Sequence, residues 1–373
     1  MKNKFEGFIL FLILIVLIGG LVFFGYVIYK ELINPDKVSS VSTNEFVSED
    51  TGVVVTERTE KRNVGDTLKE IFVPEEKTEI TYSTQASDGK FYYEQLTDTQ
   101  KIIYNGLQEN KQNMMSGTYT ISYGNKFSKI LEQENGSKIL GDDYQTAIEA
   151  FTHDNAHLFY LDVSKMFLNI ETKKRAFSTT YNVYIQPAEG QTYFAKGFSS
   201  ETQVKQAVQK INDEKNEVVS KLSGSKYNDI KAIHDYLIDN IEYDESNTSI
   251  GMYTIYGALI EKKCVCEGYA RTFKYLADFA GIECVLMQGT ATNSRGVQEK
   301  HAWNAVKLAG EWYLIDTTWD DPIISGSGIV MGNVHYRYFL KGTNEFYKDH
   351  SPEYEFSKGG HKFSYPTISQ KNY

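Results

Sequence analysis

Residues 301–316, HAWNAVKLAGEWYLID, read as two strands flanking Ala309-Gly310, which is the pattern of an antiparallel hairpin. Side chains on a strand repeat with a period of two, so register is strict. If Ala309-Gly310 is a two-residue turn, Trp303 lies opposite Asp316, and His301 shares their face one diagonal step away. Diagonal neighbours sit about 7 Å apart, within reach of an imidazole–carboxylate hydrogen bond. A four-residue turn keeps this parity and an odd one breaks it. The hairpin couples His301 to Asp316 on sequence grounds alone.

Upstream lies KKCVCEGYA, residues 262–270. Structural zinc sites use about four ligands, usually in C-x2-4-C pairs. Cys264-Val265-Cys266 is spaced too tightly for that, and the third cysteine is Cys284, so no metal is expected. Next-but-one cysteines pair with each other only under strain, whereas a Cys264–Cys284 disulfide stays open. Cys266 instead falls where EGYARTFKYLADFAG begins a helix that stops at Gly281. A thiol there meets unpaired backbone N–H groups and the positive end of the helix dipole, which together favour the thiolate. Cys264 and Cys284 lack that setting and are expected to be small buried apolar residues.

The rest of the C-terminal part, from about 223, fits an α+β arrangement. KYNDIKAIHDYLIDNIEYD is an amphipathic helix, and ECVLMQG, HAWNAVKL and EWYLID follow the Cys266 helix as strands. Residues 77–222 mix helices and strands without a catalytic signature. Thr97 with Gln100, and Ser200 with Gln203, have capping-box spacing, and GTYTISYG and TTYNVYIQP alternate like strands. His153 and His157 lack both a zincin glutamate and a third ligand, and read as ordinary histidines. His234 reads as structural, Asp320 and Asp321 before Pro322 as turn formers, and His335, His350 and His361 as residues without an arguable partner.

Residues 7–29 carry no charge, and 23 residues of helix span roughly 34 Å, enough to cross a hydrocarbon core. The expectation is a short cytoplasmic tail over 1–6, a single uncleaved transmembrane helix over 7–29 and a flexible linker over 30–76. Lys2 and Lys4 favour the N-terminus inside, which puts the body outside the cell membrane. The net charge of −10 argues against nucleic acid as a partner.

VCEGYA followed by HAWNAVKLAGEWYLIDTTWDDP resembles the transglutaminase-like superfamily, whose bacterial members place Cys-x-G-Y-A at a helix start, H-A-W-N at a strand start and D-x-T-W at a strand end. The resemblance covers about residues 226–322. It implies a papain-like core over 223–373, with the cysteine-bearing helix packed on an antiparallel sheet. It also implies Cys266 as nucleophile, His301 as base and acid, and Asp316 as the group that orients His301. The chemistry implied is acyl transfer through a thioester on peptide or side-chain amides, without a cofactor. The Cys266 backbone N–H is one expected oxyanion donor, with Tyr256 or Asn304 as candidates for the second. Trp303 and Tyr269 are candidate substrate contacts, although aromatic residues in strands are more often core. The substrate expected is a peptide or protein outside the membrane, including wall-linked peptides. Hydrolysis is slightly favoured over protein crosslinking, and the competing reading is a non-catalytic surface binding or scaffold module on the same fold.

Overall fold

The computed structural model describes residues 52–59, 90–175, 178–321, 334–353 and 360–373, together with the backbone course of 42–48. The expected tail 1–6 and span 7–29 lie outside these residues. Among the described residues no helix is long and apolar enough to cross a membrane.

The N-terminal part is built on a five-stranded sheet in the order β1-β2-β4-β5-β3, comprising β1 (Ser42–Ser48), β2 (Val53–Thr59), β3 (Ile121–Gly124), β4 (Phe167–Lys174) and β5 (Thr179–Gln186). One expectation is corrected here. Residues 53–59, placed in a linker over 30–76, form a strand that pairs parallel to β4 and antiparallel to β1. The run VVVT carries four β-branched side chains, which suit a pleated sheet better than a solvated coil. Helices α1 (Asp98–Glu109) and α2 (Gly136–Asp154) pack on each other beside the sheet. The capping box at α1 is complete, with Thr97 Oγ1 accepting from Gln100 N–H and Gln100 Oε1 accepting from Thr97 N–H.

Helices α3 (Glu201–Val219) and α4 (Lys226–Asn240) lead into the C-terminal part. Both pack on α5 (Cys266–Phe279), although α3 belongs by sequence to the 77–222 segment. Lys262 Nζ reaches Glu214 at 2.8 Å, and Lys215 lies over the Phe279 ring at 3.9 Å. Between α4 and α5, β6 (Glu242–Tyr243) pairs parallel with β7 (Lys263–Cys264). A four-stranded antiparallel sheet follows in the order β10-β9-β8-β11, comprising β8 (Cys284–Thr292), β9 (Gln298–Leu308), β10 (Glu311–Ile315) and β11 (His350–Pro352). The buried side of α5, including Tyr269, Phe273 and Leu276, is continuous with one apolar core. Complete burial of Phe273 alone contributes roughly 2–3 kcal/mol.

The β9–β10 register runs Glu311 with Leu308 to Ile315 with Asn304, so Ala309-Gly310 is the two-residue turn that the sequence predicts. On the other side of β9, β8 carries Gly289 opposite His301. A Cβ on Gly289 would stand 2.1 Å from Ser351 O and 2.7 Å from the Trp303 ring. The missing side chain is what lets β11 close on β8 beside His301.

Ala309 takes φ +53 and Gly310 φ +90. The left-handed region costs an alanine about 1 kcal/mol and an asparagine less. Ala309→Asn is expected to raise the melting temperature by about 1–3 °C, read by differential scanning calorimetry. A lower melting temperature would contradict this account of the turn.

Candidate functional site

Cys266 is the first residue of α5, set there by Val265, whose extended backbone (φ −98, ψ −179) forms the N-cap and donates to Met252 O at 3.0 Å. The N–H groups of a first helical turn lack intrahelical partners, and no side chain caps this one. Gly268 allows the close approach of the incoming chain, since a Cβ there would lie 2.5 Å from Cys264 Cβ and 2.7 Å from Met252 O. All three cysteines are free thiols, so the pairing of Cys264 with Cys284 left open above does not form. Cys264 and Cys284 are buried as expected, and burial pushes both thiols up; Cys266 is partly accessible.

His301 stands near the start of the central strand β9 and is buried. Its Nε2 donates to Asp316 Oδ2 at 2.8 Å, and the Cys266 thiol is a neighbour that helps the ring keep its proton. With Nε2 committed to the carboxylate, Nδ1 is the nitrogen left to exchange a proton with the sulfur. Burial alone would disfavour the imidazolium, but the Asp316 charge and hydrogen bond, aided by Cys266, outweigh it and raise the His301 pKa.

Asp316 is buried as well. Burial would raise its pKa, yet His301 and His350 hold it well below the usual carboxylate range. Its Oδ1 accepts from Thr318 N–H at 3.0 Å and Trp319 N–H at 3.2 Å, which explains the D-x-T-W turn. Its Oδ2 accepts from His301 and, at 3.1 Å, from His350 Nε2. His350 was read as lacking an arguable partner, because nothing local marks a residue that reaches Asp316 across 34 positions of chain. Trp319 covers both imidazoles, with ring centres 5.2 Å from His301 and 4.6 Å from His350.

Other candidates fall elsewhere. Trp303 is only 1% exposed and packs against Phe346 and His350, so it is a core residue and not a substrate contact. Tyr269 is fully buried, and its hydroxyl lies within hydrogen-bond distance of Asp321 Oδ2 at 2.7 Å and Ile241 O at 2.9 Å, which ties α5 to the end of α4 and to the turn beyond β10. Asn304 is spent on clamping β9 to α5 through Ala270 O at 3.0 Å. The Tyr256 ring packs between Phe159 and Phe198. Asp320 and Asp321 are also more than turn formers, because both are buried: Asp320 bonds His234 Nε2 at 3.0 Å and Tyr338 N–H at 2.9 Å. His234 is structural, as expected. Tyr243, opposite Cys264 in the β6–β7 register, has a phenol pKa pushed up by burial and then by the neighbouring Cys266.

His301, Asp316 and His350 offer ligand atoms within 4.8 Å of one another, the spacing of a metal-ligand set. The two Nε2–Oδ2 hydrogen bonds account for that convergence without an ion. Chemically, the arrangement offers a helix-start thiol, an imidazole that can take and return its proton, and a buried carboxylate that fixes the imidazole.

The ionic contribution of the His301–Asp316 pair has a defined pH window. A raised histidine stabilises fully below its unfolded pKa of about 6.5 and loses that contribution as pH rises through the folded value. That folded value is about 10. A depressed aspartate stabilises fully above about 3.9 and loses its contribution only in stronger acid. Asp316→Asn is therefore expected to cost roughly 3 kcal/mol between about pH 4 and 6.5. The difference from wild type should shrink as pH rises towards 10, read as melting temperature against pH. A difference constant across that range would contradict the pairing.

The family model described as Transglutaminase-like superfamily matches residues 213–317. The chain is 30% identical over 152 residues to Kyphoscoliosis peptidase of Mus musculus and 28% identical over 151 residues to its Homo sapiens counterpart. Each match covers 37% of this chain and 23% of the relative, so the similarity spans about a quarter of those proteins. A crystal structure of a TGase aligns with 49% of this chain and 50% of its own at 16% identity and a TM-score of 0.27. The matched region, running from α3 to just past Asp316, is thus a transglutaminase-like domain within this chain.

Proposed function

We propose that the chain is a thiol acyl-transfer enzyme that cleaves peptide or side-chain amides, with 223–373 as its catalytic part. The observation that carries this reading is His301, hydrogen-bonded to buried Asp316 on one nitrogen and neighbouring the helix-start thiol of Cys266. Cys266 attacks the amide carbonyl and its proton passes to His301. His301 then protonates the departing amine, leaving an acyl thioester on Cys266. Water, activated by the same imidazole, releases the acid and regenerates the thiol. The Cys266 N–H at the start of α5 supplies one oxyanion donor. The name of the curated relatives, peptidase, favours water over an amine as the acceptor.

The second reading is a surface binding or scaffold module without turnover. A partly accessible Cys266 beside a buried His301–Asp316 pair argues against it, since a module that only binds needs none of the three. Iodoacetamide labelling followed by intact-mass measurement separates the two. Rapid single labelling at Cys266, slowed at least tenfold by His301→Ala, is expected of the enzyme. Slow and equal labelling of all three thiols would fit the scaffold. Cys266→Ser is expected to abolish amide turnover while leaving the melting temperature within a few degrees; retained turnover would exclude Cys266 as nucleophile.

We further propose that residues 7–29 anchor the protein as a single span, with the catalytic part outside. The uncharged run of 23 residues supports this. Detergent, but not high salt or alkaline carbonate, should then release the protein from membranes, and release by carbonate alone would rule out the span.

A further inference from the structure

His350 sits at the heart of the site without a part in the acyl-transfer scheme. Its ring is fully buried in an aromatic box, with centres 4.1 Å from Phe346, 4.6 Å from Trp319, 5.2 Å from Trp303 and 5.3 Å from Tyr338. A phenylalanine would fill such a box at lower desolvation cost. Both of its nitrogens are nevertheless engaged by carboxylates: Nε2 with Asp316 Oδ2 at 3.1 Å and Nδ1 with Asp349 Oδ1 at 2.7 Å. Asp349 is itself held from behind, by Tyr338 O–H at 2.7 Å and by Arg337 at 3.8 Å.

Resting on the thiol-enzyme reading above, we propose that His350 is a positioning residue for His301: it takes the second place on Asp316 Oδ2, fixes the carboxylate's orientation and divides its pull on the His301 proton. Both imidazoles converge on one oxygen, at 2.8 and 3.1 Å. A carboxylate oxygen that accepts two N–H bonds is a weaker base toward each. His301 must hold a proton while the thiolate attacks and then give it to the departing amine. A carboxylate with His301 as its sole imidazole partner would hold that proton too firmly. The titratable and charged groups around the two rings are Cys266 from α5, Tyr243 from β6, Asp316 beyond β10, and Asp349, Tyr338 and Arg337 on the β11 side. Among the described residues, His350 is the group that shares a carboxylate oxygen with His301.

The test is the midpoint of the His301 ring titration, followed by NMR on the full chain, in wild type, His350→Phe and His350→Gln. The phenylalanine keeps the box filled and removes the N–H. The glutamine side-chain amide restores an N–H toward Asp316. His350→Phe is expected to raise the His301 midpoint by roughly half to one pH unit, and His350→Gln to bring it back close to wild type. An unmoved or lowered midpoint in His350→Phe, or equal effects of the two variants, would overturn the proposal. Should His350→Phe not fold, the wild-type spectrum decides: a proton on His350 Nε2 is required, and a bare Nε2 overturns the assignment. Cys266 labelling of wild type and His301→Ala keeps two failures apart. Labelling unchanged by His301→Ala defeats the enzyme reading, whereas an unmoved His301 midpoint defeats only the role of His350.

Discussion

Everything at this site rests on a carboxylate kept charged where water is absent. Asp316 is 1% exposed, and an isolated ion there would be costly enough to drive it neutral. It remains ionised because four N–H groups converge on its two oxygens: two from the turn it begins, one from the central strand and one from the last strand of the sheet. The donors come from three separate places in the chain. The carboxylate is thus a structural junction first, and its value to His301 follows from that. Removal of a partner from such a junction costs more than its formation contributes, because the remaining charge stays buried.

The scaffold behind the thiol is equally constrained. Cys266 can face His301 only if α5 starts where it does and lies close to the sheet. Gly268 admits the chain entering the helix, Asn304 ties β9 to Ala270, and Tyr269 ties the helix to Asp321. The N-terminal part adds a brace from the other side. Arg271 donates to Thr152 O at 3.0 Å, and the Tyr92 hydroxyl donates to Leu286 O. Cys266 and His301 thus stand on a helix and a strand whose relative position is held by hydrogen bonds from several directions, the kind of restraint that precise placement of reacting groups requires.

What was legible in the sequence was local. Strand parity around Ala309-Gly310 correctly joined His301 to Asp316, and helix-start chemistry correctly put Cys266 at the first residue of α5. The capping box at Thr97 and Gln100 formed as spaced. The misses share a cause. His350, Asp320 and Asp321 acquire partners dozens of positions away, and a histidine or an Asp-Asp-Pro turn looks the same in sequence whether or not such partners exist. Trp303 lies on the predicted face, but the segment that covers that face comes from Phe346 and His350, beyond the motif. The strand at 53–59 was hidden because its partner, β4, lies more than a hundred residues on.

That division between local and distant signals bears on how the chemistry is tuned. Cys266, His301 and Asp316, carried by a helix and a hairpin, all sit within the matched stretch 213–317. The groups that adjust them do not. His350, Asp349 and Tyr338 all lie after that stretch, on chain that returns to the sheet edge as β11. The C-terminal return therefore does more than cover the sheet. It closes the aromatic box, supplies the fourth donor to Asp316 and shields the His301–Asp316 bond from water, which strengthens that bond electrostatically. A chain that kept the three central residues and lost this return would still have its thiol and imidazole. It would have them beside a wetter, less restrained carboxylate, with weaker control over when the imidazole gives up its proton.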